Sequence, residues 1–174
     1  MSQENVEIVL EANEAWRRGD LDAVLRALDP GIEWHTAADE PDAGTHRGVE
    51  AVISLIADWA RSFEDFSVEP LEFIDAGDRV VMPITARGRP HGSAQTVEVP
   101  ETQGYTVRNG TIVEVREYPT KAEALKILGL SQWAISQANV EIIRRATDAA
   151  GAAHAPDHPD SARTGTGIDG GYPR

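Results

Sequence analysis

The sequence predicts an α+β fold in which helices cover one face of an antiparallel sheet. Apolar residues recur at helical spacing in the first part of the chain, whereas four segments rich in β-branched residues follow one another closely in its second half. Of the 174 residues, 41% are hydrophobic and 26% are charged, as in an average globular protein. We therefore expect one domain with a core of its own.

Three helices and a short strand are predicted before the sheet. The first helix spans residues 3–18 and ends at a glycine, and the second, at 20–28, begins with a capping aspartate and stops at an Asp-Pro pair. A short strand at 32–36 and a loop to residue 48 come next. The third helix, at 49–63, carries its apolar residues on one face.

The sheet itself is predicted from four strands, at 66–74, 79–87, 96–107 and 111–118. Asn109-Gly110 separates the last two strands and is typical of a tight hairpin, because both residues tolerate positive φ. A capping box that begins at Thr120 predicts one more helix, which Gly129 ends. We expect consecutive strands to pair antiparallel.

The remainder of the chain is predicted to add no second domain. Residues 136–143 repeat residues 2–9 with six identities in eight positions, which predicts a helix over 131–149 that echoes the first helix. This helix is either the remnant of a tandem copy or a segment that occupies the groove of the first helix, in the same or a neighbouring subunit. Residues 150–174 have almost no large aliphatic side chains and are expected to be a flexible tail after a domain at 1–130.

Charge and composition exclude several classes of function. A net charge of −13 opposes binding to nucleic acid or to an anionic membrane. The chain has no cysteine, and Pro156 prevents His154 and His158 from sharing a helix face, so no metal site is expected. It also has neither a long apolar stretch nor a secretory signal. We therefore expect a cytoplasmic protein without a cofactor, a nucleic-acid partner or a membrane partner.

Four segments resemble, in the same order, the SnoaL-like family of the nuclear transport factor 2-like superfamily. They are EAWRRGDLDAVLRALDPGIEWHTA, DAGTHRGVEAVISLI, EFIDAGDRVVM and GYTVRNGTIVEVREYPTKAEAL. The resemblance implies a cone-shaped, curved antiparallel sheet wrapped on N-terminal helices and enclosing a pocket. Such folds host ketosteroid isomerases, polyketide cyclases, dehydratases, epoxide hydrolases and binding domains, and they commonly dimerise through the outer face of the sheet. A homodimer is therefore implied as well.

Strand alternation predicts which polar side chains point into the pocket. Glu117 shares parity with Val113 and Val115 and should point inward, where apolar surroundings raise the pKa of a carboxyl group towards values useful for proton transfer. The polyketide cyclases that the chain resembles carry an acidic residue near this position, which implies a general acid/base role for Glu117. The alternative is a carboxylate at the rim, paired with Arg108 or Arg116.

His35 is the second candidate for acid/base chemistry. It ends the first strand, where the ketosteroid isomerases that the fold resembles place their carboxylate base, and an imidazole with a pKa of about 6.5 is a competent base. Against this role, Trp34 belongs to the apolar parity of the strand, so His35 would face solvent. By alignment, Ala12 and Gly104 replace the tyrosine and the protonated aspartate with which the isomerases bind an oxyanion. Their machinery is not expected here.

Four further residues are predicted to bind the substrate. Gln103 and Tyr105 share the inward parity of the third strand of the sheet and could hydrogen-bond a carbonyl or hydroxyl group. Cyclases of the family carry a histidine near Gln103, and a glutamine cannot relay a proton as an imidazole does. Trp16 and Trp59 lie on inward helix faces, where Trp59 is expected to join the core and Trp16 is open between core and ligand platform.

The sequence leaves two functions open. In the first, the domain binds a small, largely apolar oxygenated molecule and catalyses isomerisation, cyclisation, dehydration or hydrolysis without a cofactor, with Glu117 and His35 as acid and base. In the second, it is a non-catalytic domain for small-molecule binding or for dimerisation. Neither a Gly-rich phosphate loop nor a Gly-x-Ser-x-Gly elbow occurs in a suitable context, so nucleotide binding and serine hydrolysis are not expected.

Overall fold

The structure, a computed structural model, describes residues 2–38 and 43–130. Its helices are α1 (Ser2–Arg18), α2 (Leu21–Ala27), α3 (Val49–Ser62) and α4 (Lys121–Ile127). Its strands are β1 (Leu28–His35), β2 (Thr45–Arg47), β3 (Phe63–Pro70), β4 (Ile74–Asp75), β5 (Arg79–Pro90), β6 (Val97–Arg108) and β7 (Thr111–Tyr118). The predicted α+β class is confirmed. The helix predicted at 131–149 and the tail predicted at 150–174 lie outside the described residues.

The N-terminal helices begin and end at the residues that favour those positions. Gly19, with a φ of +71°, ends α1, and the Asp20 carboxylate accepts a hydrogen bond of 3.0 Å from the backbone N–H of Ala23 to cap α2. The chain then enters β1 directly. This strand begins earlier than predicted, because Pro30 is accommodated inside it. It lies where the β1–β7 register is irregular, so its missing N–H interrupts no regular ladder.

The strands form one curved mixed sheet in the order β2-β1-β7-β6-β5-β3, with β4 paired to β5. All neighbouring pairs are antiparallel except β1 and β7, which run parallel. No hairpin joins these two strands, since most of the domain lies between them in sequence, and such a long connection permits parallel pairing. The sheet is therefore mixed where the sequence predicted a wholly antiparallel one.

Besides the irregularity in the β1–β7 pair, two further irregularities in the strand register bend the sheet. One lies between Glu64 and Ser67 on β3, where Asp65 has a φ of 58°, and the other lies at Val113 on β7, opposite the step from Thr106 to Val107 on β6. An extra residue on one strand of a pair bends that strand and increases its twist. The bent sheet has a concave inner face, which holds the helices α1 and α3.

Apolar side chains are buried on both faces in the middle of the sheet. On the inner face, core residues from the helices and the strands pack together; they include Val6, Val9, Val52, Leu55, Val80, Met82, Ile84 and Val115. On the outer face, α4 covers a second cluster of Ile74, Val81, Tyr118, Ala124 and Leu125. Strand β5 is buried on both sides, and for this reason it reads as a continuous apolar run. Within the described ranges no helix has the length and apolarity needed to span a bilayer.

Candidate functional site

A cleft of about 570 Å³ opens on the inner face, between the end of α3 and strands β3, β5 and β6. Its apolar wall includes Trp59, Phe63, Phe66, Val68, Ile84 and Val99. Val97 and Val99 are 39% and 51% exposed and mark its mouth. Helix α3 ends at Ser62. It therefore does not cover the inward-facing side chains at the end of β5 and the beginning of β6, and the cleft forms over this uncovered part of the inner face.

The inner end of the cleft is polar. Gln103 and Glu101 belong to its lining, and both lie on the inward parity of β6. The phenol O–H of Tyr105 donates a hydrogen bond of 2.6 Å to Oε1 of Gln103, and Nε2 of Gln103 donates one of 3.3 Å to Oε1 of Glu101. These three side chains therefore form a directed chain of hydrogen bonds that ends on a carboxylate.

Tyr105 supports Gln103 from the interior. Burial raises the pKa of the Tyr105 phenol far above its ordinary value, the negative charges of Glu101 and Glu117 raise it further, and a hydrogen bond with the Asn13 side chain opposes these effects. The phenol therefore stays protonated throughout the neutral range and remains a donor. Because it donates to Oε1 of Gln103, it fixes the orientation of the amide.

Glu117 is buried beside Gln103. It is 4% exposed and directly faces Gln103 in the β6–β7 register. Its Oε1 accepts a hydrogen bond of 2.6 Å from the indole N–H of Trp34, and its Oε2 accepts one of 3.1 Å from the backbone N–H of Ala37. Glu117 thus lies inside the domain rather than at the rim, and Arg116 lies on the other face, where it binds Glu114 at 3.0 Å.

His35 lies on the outer face of the sheet, so the predicted acid/base pair with Glu117 is not assembled. Nδ1 of His35 is 2.9 Å from the Thr45 hydroxyl, and Nε2 lies 3.4 Å from Glu33 and 3.7 Å from Glu114. Burial lowers the pKa of His35, as does the charge of Arg116, while Glu114 and Glu33 act in the opposite direction. The physical reason is alternation along β1: Trp34 points inward, so its neighbour points outward.

The two tryptophan candidates have different surroundings. The rings of Trp59 and Trp34 meet edge to face, with their centroids 5.8 Å apart, and Trp59 also lines the cleft. Trp16 is partly buried against the inner core and is not part of the cleft lining. Trp59 therefore belongs to both the core and the cleft wall, and it connects that wall through Trp34 to Glu117.

Sequence reasoning missed two residues on the inner face. Glu101 shares the parity of Gln103 and Tyr105, and that signal was sufficient to find it. His46 lies on β2 opposite Trp34, and among the described residues its Nε2 atom is buried without a hydrogen-bond partner. The sequence predicts a loop at this position, because a strand of three residues has no detectable periodicity.

Position 104 faces away from the cleft. A Cβ atom added to Gly104 would lie 3.0 Å from the ring of Tyr118, which belongs to the outer cluster. The inward positions of β6 are therefore 103 and 105, and the aspartate of the isomerases has no counterpart at 104 that could reach a ligand. Within the described part of the chain, no three His, Asp or Glu side chains are grouped so that they could hold a metal ion.

Helices packed into the concave face of a curved mixed sheet define the nuclear transport factor 2-like class of proteins. The sequence profile of the SnoaL-like domain matches residues 9–115, and the chain belongs to this family. An NTF2-like protein from Burkholderia xenovorans LB400 is 34% identical, with a TM-score of 0.58 over 68% of this chain and 90% of that one. The resemblance recognised in the sequence is confirmed.

Two further structures share the fold at lower identity. Bal32a, from a soil-derived mobile gene cassette, is 23% identical, with a TM-score of 0.62 over 67% of this chain and 89% of that one. A putative SnoaL-like polyketide cyclase from Jannaschia sp. CCS1 is 23% identical, with a TM-score of 0.55 over 72% of this chain and 91% of that one. No curated protein is significantly similar in sequence.

Proposed function

We propose that this SnoaL-like domain binds a small, largely apolar oxygenated molecule in the cleft between α3 and strands β3, β5 and β6. The observation that carries the proposal is the composition of the cleft: aromatic and aliphatic side chains form its wall, and the Gln103–Glu101 pair lies at its inner end. Apolar burial supplies most of the affinity in such sites, while a few polar groups fix the orientation of the ligand.

The size and shape of the cleft agree with such a ligand. Its volume of about 570 Å³ falls within the range of about 300–1,000 Å³ that is usual for small-molecule pockets. Phe63 and Phe66 stack with their ring centroids 5.8 Å apart, and Trp59 stands on the same wall. Flat aromatic surfaces favour a ligand with a ring system, because ring faces and edges pack closely against one another.

Acid/base catalysis without a cofactor is a second candidate function, and one observation favours it. Glu117 is a buried carboxylate that lies beside the cleft residue Gln103, its partner on the neighbouring strand β6. Both of its oxygens already accept N–H hydrogen bonds, from Trp34 and from Ala37. For proton transfer, the reacting atom of the substrate would have to come within hydrogen-bond distance of this carboxylate. Binding therefore has the stronger support.

The binding proposal is tested by blocking the cleft. Mass spectrometry of the purified protein identifies any retained molecule, and calorimetry measures its affinity. Ala86 lines the cleft, so A86W should fill the cleft and abolish binding, whereas A94W, which adds the same ring in the exposed turn between β5 and β6, should not. Unchanged affinity in A86W would rule out this cleft as the binding site.

The catalytic candidate is tested with the same ligand. E117Q should abolish conversion of the ligand and leave its affinity unchanged within about twofold, because the carboxylate lies outside the cleft lining. E114Q removes one charge from the outer face of the same strand and serves as the control. Equal conversion by wild type and E117Q would exclude Glu117 as the acid/base group.

A further inference from the structure

The cleft ends on a hydrogen-bond acceptor. We propose that it selects ligands that carry a hydrogen-bond donor, namely a phenol, an alcohol or an amine, that it rejects carboxylates, and that Glu101 sets this selectivity. The inference rests on the proposed binding function and specifies the ligand class of the same site.

The direction of the hydrogen-bond chain is the first step. Tyr105 donates to the carbonyl oxygen of Gln103, and the amide nitrogen of Gln103 donates to Glu101. The reversed amide would turn its carbonyl oxygen towards the Glu101 carboxylate, and two acceptors repel each other. The orientation is therefore fixed, and the acceptor end of the chain is the carboxylate.

The position of Glu101 is the second step. It is half-buried, lies two residues from Gln103 on the same face of β6 and belongs to the cleft lining. A carboxylate offers about four acceptor positions, so it can hold several hydrogen bonds at once, including one from a ligand. A donor on the ligand would form a charge-assisted hydrogen bond there, which is stronger than a bond between neutral groups.

The charges around the cleft are the third step. Arg87 is a cation of the lining, but it lies at the mouth, is 59% exposed and binds Glu98 at 2.5 Å. Asp58, which also belongs to the lining, is paired with Arg61 in the same way, so Glu101 is the charge that a ligand meets at the inner end. A ligand carboxylate at the inner end would meet Glu101 at short range in a partly dehydrated site, where like charges repel more strongly than in water. The net charge of −13 opposes its approach as well.

The test compares three probes with the same ring system: 2-naphthol, 2-methoxynaphthalene and 2-naphthoate. Calorimetry with the full chain at pH 7.5 should give an affinity for 2-naphthol about tenfold or more above that for either other probe, the usual effect of one hydrogen bond to a charged group. E101Q should lower the preference for 2-naphthol over 2-naphthoate about tenfold. E114Q, which removes one charge on the outer face, should leave that preference unchanged.

The outcomes separate this inference from the function on which it rests. If A86W does not abolish binding, or if no probe binds the wild type, the proposed function fails and the inference fails with it. If A86W abolishes binding but E101Q and E114Q show the same preference, the role of Glu101 is wrong and the binding function stands. The wild-type comparison needs no variant to fold: binding of 2-naphthoate at least as tight as that of 2-naphthol overturns the inference.

Discussion

Both carboxylate oxygens of Glu117 are bonded, one to the indole of Trp34 and one to the backbone N–H of Ala37. The residue therefore connects the end of β7 with the end of β1, whatever chemistry the domain performs. A buried donor that loses its acceptor costs about 1–3 kcal/mol, because it gave up water on folding and gains nothing in return. Removing this side chain leaves two such donors.

We expect E117A to lower the free energy of unfolding by about 3 kcal/mol, and E117Q by about half as much, because glutamine keeps one acceptor for Trp34. Urea unfolding followed by tryptophan fluorescence measures both values. E114Q, on the outer face, should change the free energy of unfolding by less than about 0.5 kcal/mol. A loss in E117A no larger than that of E114Q would show that these two bonds do not stabilise the fold.

His35 makes stability depend on pH below neutrality. Burial and the charge of Arg116 lower its pKa in the folded state, so between the folded and unfolded pKa values the unfolded chain binds more protons. Stability is therefore lost as the pH falls from the unfolded value of about 6.5 through the folded value. H35Q should flatten this dependence, and H91Q, at an exposed position, should not. Urea midpoints between pH 7.5 and pH 5 measure the slopes; equal slopes in H35Q and wild type would contradict the assignment.

Alternation along a strand predicts, for each residue of the site, whether its side chain lies on the inner face. It places Glu117, Gln103 and Tyr105 inside, where the structure has them. The same rule puts His35 outside; the expectation of a catalytic role there rests on the resemblance to the ketosteroid isomerases and not on the parity of Trp34. The place of the cleft was not predictable, because it depends on where α3 ends relative to the far ends of β5 and β6.

At the scale of elements, a glycine permits the close packing of β3 on β5. A Cβ atom added to Gly88 would lie 2.9 Å from the Cβ and Cγ atoms of Phe63, closer than real contacts allow. Phe63 belongs to the cleft wall, so the absence of a side chain at Gly88 lets the Phe63 ring pack directly on the backbone of β5. A larger residue would displace the ring into the cleft or away from it.

We expect G88A to lower both stability, by about 1–3 kcal/mol, and the affinity of cleft ligands. G104A is its matched control: its new methyl group would lie 3.0 Å from the ring of Tyr118, on the face opposite the cleft. G104A should therefore lower the melting temperature without changing ligand affinity. If both variants weaken binding equally, the affinity loss in G88A reports general destabilisation and not the position of Phe63.

Elements with local signals were predictable, and elements that depend on distant partners were not. Asn109-Gly110 adopts φ values of 52° and 82°, as its hairpin signal requires. The strand predicted over 66–74 is in fact two strands, because its residues pair with different parts of β5. The parallel pairing of β1 with β7 and the short strand β2 leave no trace in local periodicity, because neighbours far away in sequence create them.

For the molecule as a whole, the described core closes at Leu130, which packs against the outer cluster under α4. We expect a chain truncated after Leu130 to keep its oligomeric state and to melt within about 3 °C of the full chain, because it keeps both core clusters of the described residues. A shorter chain ending at Pro119 should unfold, because the cluster of Ile74, Val81 and Tyr118 would lose its cover.

Calorimetry and light scattering on the two truncated chains and the full chain check this prediction. A changed oligomeric state or a large loss of melting temperature after truncation at Leu130 would support the alternative that residues 131–149 occupy the groove of the first helix. The chain that ends at Pro119 shows whether the assay detects the loss of a covering helix.

The parallel pairing of β1 with β7 also determines when the domain can fold during its synthesis. Strand β1 leaves the ribosome long before β7, its neighbour in the sheet, exists. Until then only β2 can pair with β1, and the edge of β1 that carries Ile32 and Trp34 towards β7 stays unpaired, so the nascent polypeptide exposes an apolar edge of the kind that chaperones shield. Closing the longest loop of the domain is the late and slow event of folding, since pairing that is remote in sequence slows folding. The domain therefore becomes native only after translation has passed its last strand.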